Sequence, residues 1–306
     1  MAEILGVKLQ IAGSRGDTKR VPLAVVFLVL FQPGMAMLNT QQGAVPGRIV
    51  SIVPSVTEML FAIGAGSQVV GVSSFVRFPD EVSMLPRVGA LLDPDMEQIF
   101  LLRPDLVILY RSQSDTREQI ERAGISVFTY AHGGLLNVSE TMRELGRLTG
   151  YRSQADRVAR GIDTDLAVIR HRVAGRERPR VLLVLGRDPD MVRNVYASGG
   201  IGFLHDMLDA AGGANVFAGV SREAVQPTTE GILGAAPDVI IEVRTDGLLT
   251  PIDAQNSLVV WDRWSMIPAV RSGRVHFLMA NELVVPGPRV ATATERLAQI
   301  LHPEAF

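Results

Sequence analysis

The feature that most constrains this chain is that it repeats itself. Glu97-Gln98-Ile99 leads to Pro104-Asp105-Leu106-Val107-Ile108, and Glu230-Gly231-Ile232 leads to Pro237-Asp238-Val239-Ile240-Ile241. Each copy sets a Glu seven residues before Pro-Asp and follows it with a β-rich run. A second pair of copies lies ahead of these. Glu58 to Gly66 runs on to Gly71-Val72-Ser73, and Asp206 to Ala214 runs on to Gly219-Val220-Ser221. Over these 16 positions seven are identical without a gap. Generic helix–strand units resemble one another by chance, but a fixed Glu-to-Pro-Asp interval does not recur that way. The chain therefore reads as two lobes of one design, and its 306 residues suit two domains.

Each lobe alternates strand and helix. In the first, Ile49 to Val53 is a short apolar strand, and Pro54 to Glu58 opens a helix. Ser55 is placed to cap that helix, with Glu58 three residues on to complete a capping box. Val69 to Val72, Asp105 to Tyr110 and Ile125 to Tyr130 are further strands. Met96 to Leu102 and Thr116 to Ala123 are helices, stopped by Arg103-Pro104 and by Gly124. The second lobe starts at Arg180 to Leu185, repeats the order and ends in a helix at Ala291 to Leu301. Short strands that are apolar throughout predict an α/β fold with parallel sheets covered on both faces. Between the lobes Val158, Ile162, Leu166 and Ile169 recur at helical spacing. They predict one bridging helix within 151–176, about 30 Å long, between lobes spanning 47–150 and 177–306. Such a helix is unlike the flexible linker usual between domains.

At the N-terminus Lys19-Arg20 precede an 11-residue apolar run, Val21 to Phe31, with small residues at Gly34 and Ala36. That is the pattern of a signal peptide over 1–36, cleaved near Ala36. The run is too short to span about 30 Å of hydrocarbon comfortably. The chain has no Cys. That excludes disulfides, iron–sulfur clusters, Cys-zinc sites and thiol nucleophiles. It also leaves no attachment point for a lipid, so the expectation is a periplasmic protein that is not a lipoprotein. A net charge of −2 provides no global basic field for nucleic acid. The only lysines are Lys8 and Lys19, so later cations are all Arg. Codon usage accounts for that; the alternative is that some of these Arg grip an anionic ligand bidentately. Catalytic signatures are missing. There is no G-x-S-x-G elbow, P-loop or H-E-x-x-H, and neither Gly64-x-Gly66 nor Gly200-x-Gly202 completes a dinucleotide loop. The five His show no metal-ligand spacing.

Several motifs together carry a family resemblance. They are Arg48-Ile49-Val50-Ser51 with Pro54 to Glu58, Gly71-Val72-Ser73-Ser74-Phe75 with Pro79, both Glu-to-Pro-Asp units, Ala269 to Val275, and Gly287-Pro288-Arg289. Over residues 47–306 the chain resembles the substrate-binding proteins of ABC importers for cobalamin, haem and iron-siderophores. The resemblance implies two α/β lobes bridged by one long helix, a monomer without a resident cofactor, and a membrane permease with its ATPase as partners. It implies that Glu97 and Glu230 dock into Arg residues of the permease. The alternative is that each Glu merely favours its own helix N-terminus.

The ligand of such a protein is expected between the lobes, at the carboxyl ends of the strands. The candidates there are Phe75, Arg77, Tyr110, Arg111 and His132 in the first lobe. In the second they are Arg187, Tyr196, Arg222, Arg244 and Asn281. Flat Tyr and Phe faces suit a conjugated ring, although each could instead pack in the core. Phe75 and Tyr110-Arg111 match cobalamin-binding members, whereas Ala224 stands where those carry Trp and Asn281 where they carry Asp. Haem-binding members ligate iron through a Tyr or His before the first-lobe Glu, and Val88 to Leu92 holds neither. A neutral His132 could coordinate a metal axially or be an ordinary loop residue. The favoured cargo is a corrinoid, with haem or a ferric siderophore as alternatives. A periplasmic ligand-sensing domain is a third reading.

Overall fold

A computed structural model of the chain describes residues 44–244 and 257–306. The signal segment expected at 1–36 lies outside the described residues. The first lobe is a four-stranded sheet of β1 (Ile49–Ser51), β2 (Val69–Val72), β3 (Leu106–Tyr110) and β4 (Ser126–Tyr130), in the order β2-β1-β3-β4 and parallel throughout. Its connections include α1 (Pro54–Ala62), α2 (Met96–Leu101) and α3 (Ser114–Arg122). Strand β2 lies on one side of β1 and β3 on the other. The connections therefore diverge at the β1/β3 carboxyl ends, where an open α/β sheet leaves a crevice.

The second sheet comprises β5 (Arg180–Gly186), β6 (Tyr196–Ser198), β7 (Ala214–Asn215), β8 (Ala224–Val225), β9 (Val239–Arg244) and β10 (Val275–Met279). Its order is β10-β9-β5-β6-β8, with β7 also paired to β5. Here the expectation of a parallel sheet is only partly met. Strands β7, β9 and β10 run parallel to their neighbours, but β6 and β8 are antiparallel. The reason is the connection over 187–195, too short for the helical crossover that a parallel pair requires. Helices α6 (Phe203–Ala210), α7 (Thr229–Ala235), α8 (Pro268–Arg271) and α9 (Val290–Leu301) complete this lobe.

Between the sheets run α4 (Leu135–Thr149) and α5 (Arg152–Val173). The 22 residues of α5 give a rod of about 33 Å. It buries Ala155, Ala159, Ile162, Leu166, Ile169 and Val173, one stripe at helical spacing, and leaves Arg and Asp outside. It packs on α4 and α9, and one apolar cluster is continuous from β1 and α1 through α4 and α5 to α6 and α9. The bridging helix is thus embedded in a core shared by both lobes. No described helix is long and apolar enough to cross a membrane.

The capping box expected at Ser55 and Glu58 does not form. Pro54 takes the first helical position and Val53 the cap, which places Ser55 inside the first turn. The Glu58 carboxylate, free of that duty, accepts two bonds from the Arg289 guanidinium at 2.6 and 2.9 Å.

The Glu-to-Pro-Asp repeat has a structural explanation in all parts but one. Asp95 caps α2 by accepting from the Gln98 N–H at 2.9 Å, and Thr228 caps α7 by accepting from Gly231 N–H at 3.1 Å. Arg103 and Ala236 end the two helices in the left-handed region, at φ 47° and 42°, immediately before Pro104 and Pro237. Asp105 then accepts from the Gly47 and Arg48 N–H groups, and Asp238 from the Arg180 N–H, at 2.8–3.0 Å. Arg48 and Arg180 return the favour to the helix ends, donating to the Leu102 and Ala235 carbonyls at 2.6 and 2.7 Å. Cap, Pro and Asp therefore stitch each helix to an internal strand of its sheet. Glu97 and Glu230 take no part in this.

Candidate functional site

Glu97 and Glu230 each occupy the second position of their helix, and both are exposed. Neither carboxylate forms a hydrogen bond or ion pair with any described residue. Because α2 and α7 each run back to feed the next parallel strand, both begin at the carboxyl ends of the sheets. The two acids thus stand at the cleft end of their lobes, equivalently placed and unengaged.

At those strand ends lie two adjoining cavities. One, of about 630 Å³, is lined by Ile52, Pro54, Phe75, Leu91, Leu92 and Tyr110 together with Ser73, Ser74 and Gly89 to Asp93. Phe75 is 69% exposed and Leu92 93% exposed, a cost in water that an apolar ligand would remove. The loop that presents Leu91 and Leu92 turns at Gly89, where φ is 78° and a Cβ would stand 2.2 Å from the Asp93 carbonyl oxygen. The other cavity, of about 430 Å³, is lined by Tyr110, Arg111, Ser112, Tyr130, Ala131 and His132 from the first lobe and Glu223 from the second. Tyr110 is common to both, so they form one cleft with an apolar and a polar end.

The polar end is an aromatic cluster. The His132 ring lies 5.5 Å from Tyr110, 5.3 Å from Tyr130 and 6.1 Å from Phe203 of the other lobe, centre to centre. Burial lowers the His132 pKa, only partly opposed by the Glu223 charge, so the imidazole is neutral near pH 7. Burial pushes Tyr110 up to about 12, with Tyr130 adding to the effect, and burial also raises Tyr130. The site therefore offers neutral rings and a neutral imidazole.

The expected residues are not all brought together. Phe75, Tyr110, Arg111 and His132 line the cleft. Arg187 does not and is a correction. Its side chain is 0% exposed and makes a two-pronged pair with Glu242 at 2.5 and 3.2 Å. It also donates to the Asp188, Pro189 and Ser257 carbonyls. The reason is that Glu242 points into the interior of β9 and a buried carboxylate must be paired. Trp261, fully buried, donates to the same carboxylate at 2.6 Å. Arg77 is turned back onto the Ser74 and Val76 carbonyls of its own loop. Arg244 lies beside Glu242 at 3.6 Å and is mostly covered. Arg222, Tyr196 and Asn281 are exposed. None of Arg77, Arg222, Arg244, Tyr196 or Asn281 lines either cavity.

Sequence reasoning missed Leu91, Leu92 and Glu223. Two adjacent Leu in a loop that begins with a glycine turn was the available signal for the first two. Glu223 had none. A further depression, of about 750 Å³, lies elsewhere, at the amino ends of β5, β9 and β10. It sets Arg176, Arg271 and Arg274 among Glu177, Asp238 and Glu304, with Arg176 and Glu304 already paired at 2.7 Å. Among the described residues no group of three or more His, Asp or Glu could hold a metal ion.

The cleft is walled mainly by the first lobe, with Glu223 reaching it from the second. The chain belongs to the periplasmic binding protein family, whose pattern matches residues 49–282, and it is not an enzyme. It is similar to the uncharacterized ABC transporter substrate-binding lipoprotein YvrC of Bacillus subtilis, 30% identical over 269 residues, covering 85% of this chain and 82% of that one. It is 27% identical to the vitamin B12-binding protein of Salmonella typhimurium over 256 residues, covering 83% of this chain and 90% of the relative. Among solved structures, the periplasmic heme-binding protein RhuT from Roseiflexus sp. RS-1 superposes with a TM-score of 0.71 at 27% identity, covering 85% of this chain and 99% of that one.

Proposed function

We propose that this protein is the binding component of an ABC importer and carries a corrinoid between its lobes. The observation that supports this most is the lining of the cleft. One end is apolar and aromatic, shaped by Phe75, Leu91, Leu92 and Tyr110. The other holds a single guanidinium, Arg111, near the Glu223 carboxylate. A cobalamin presents a broad amide-fringed macrocycle and one phosphodiester, which one Arg can meet. Haem brings two carboxylates and many ferric siderophores several negative charges, which Glu223 opposes. The B12-binding relative supports the same reading, and the heme-binding neighbour is the reason haem remains the alternative. Glu97 and Glu230 are the two contacts offered to the permease. The relative YvrC is a lipoprotein, whereas these 306 residues contain no Cys.

The test is calorimetric titration of the protein lacking residues 1–36 with cyanocobalamin, haemin and a ferric hydroxamate. Tight one-to-one binding of cyanocobalamin is expected. Binding of haemin alone would transfer the reading to haem, and binding of none would refute it. Arg111→Ala is expected to weaken cyanocobalamin by about 1.5–3 kcal/mol, the worth of a hydrogen bond to a charged group. Unaltered affinity would place Arg111 outside the contact.

A further inference from the structure

The two lobes are tied to each other twice, once in each direction, by a carboxylate on the first helix of each lobe. Glu58 sits on α1, the first helix of lobe 1, and Asp206 sits on α6, the helix that the sequence repeat aligns with α1. Glu58 is buried and grips Arg289, the residue that caps α9 of lobe 2, at 2.6 and 2.9 Å. Asp206 reaches the other way and accepts from the Leu135 N–H at 2.9 Å, the first residue of α4. So each lobe's first helix holds the head of the other lobe's long closing helix, Glu58 through the Arg289 side chain and Asp206 through a backbone N–H at the start of α4.

A glycine makes room for each contact. A Cβ at Gly134 would stand 2.2 Å from Asp206 Oδ2, and one at Gly287 would stand 3.2 Å from Glu58 Oε2. The Glu58 tie also has a route to the ligand. The Phe78 ring covers the Arg289 guanidinium at 4.3 Å, and Phe78 shares a loop with Phe75 of the cavity wall. Glu282 further holds Arg289 at 3.5 Å and is itself bound by Arg296.

We propose that Glu58 and Asp206 form a reciprocal two-point clasp across the seam, and that the lobes part only when both points release. Neither tie is needed to complete its own lobe's sheet, and each bridges groups far apart in the chain, 231 and 71 residues. Opening therefore costs both contacts together, and the two costs add. A transporter that empties the cleft must supply that work, and a variant lacking a tie empties more readily.

The chain has no Cys, so spin labels can be placed at will through Gln119→Cys on α3 and Arg271→Cys on α8, both exposed positions. Interlobe distances by pulsed electron resonance are expected to give one narrow population in the parent. Glu58→Gln and Asp206→Asn should each add a second, separated population, and the double variant should enlarge it. Gly134→Ala should reproduce the Asp206→Asn result without removing a charge. This readout needs no ligand and stands apart from the corrinoid reading. Where cyanocobalamin binds, its dissociation should quicken about tenfold per tie, with the two factors multiplying. An unchanged distance distribution in a double variant that is folded by circular dichroism overturns the clasp. So does acceleration by one variant with none by the other, which would mean that the lobes pivot about a single tie.

Discussion

Changing Glu97 and Glu230 together to alanine is expected to abolish uptake while leaving ligand affinity and folding unaltered. Both side chains project from the second position of short helices whose caps are already made by Asp95 and Thr228. Removing them breaks no bond to any described residue. Their surroundings account for every other element of the repeat, from the left-handed Arg103 and Ala236 to the strand-binding Asp105 and Asp238. The permease contact proposed above fits this, since two exposed carboxylates suit two Arg sockets. Accumulation of labelled cyanocobalamin by cells dependent on this protein, set beside calorimetry on the purified variant, separates the outcomes. Lost affinity would make the Glu cleft or structural residues, and intact uptake would refute docking through them. The single variants should lie between, because one remaining carboxylate still orients the encounter.

The second large effect concerns stability. Arg187→Ala should destabilise the second lobe by about 3–5 kcal/mol, because it strands the Glu242 carboxylate in the interior. Glu242 is fully buried, and its remaining close donor would be the Trp261 indole N–H. The same change deprives the Asp188, Pro189 and Ser257 carbonyls of their guanidinium donor. Arg187→Lys should recover little, since an ammonium cannot match the two-pronged geometry. Urea denaturation followed through tryptophan fluorescence reads this directly, as Trp261 lies on the same carboxylate. A variant of normal stability that has lost ligand would return Arg187 to the cleft.

These contrasts show what was legible. The two lobes, the order of strands and helices in the first, and the embedded helix of 22 residues could be read from spacing, because each depends on near neighbours along the chain, whereas the antiparallel β6 and β8 of the second could not. Phe75, Tyr110, Arg111 and His132 could be found because a strand's carboxyl end is visible in its apolar run. Rules of position alone erred wherever a distant group competed. Ser55 and Glu58 have the spacing of a capping box, yet Arg289 claims Glu58 from 231 residues away. Arg187 follows a strand as a cleft residue should, yet Glu242 claims it from 55 residues away. Glu223 carries no local mark and Asp206 only its place in the repeat, and the meeting of the lobes gives the first a place in the cleft and the second a helix to hold.

The sequence by itself determined the duplicated design and singled out two Glu whose carboxylates bond to no described residue. Periodicity and a repeated interval record contacts within a few turns of chain, and those survive any tertiary arrangement. The tertiary structure alone decided where each Arg ends and how the lobes are tied. A buried or half-buried charge is placed by whichever opposite charge or helix end it meets in space. That meeting is set by packing two sheets against one shared core, which no interval along the chain records.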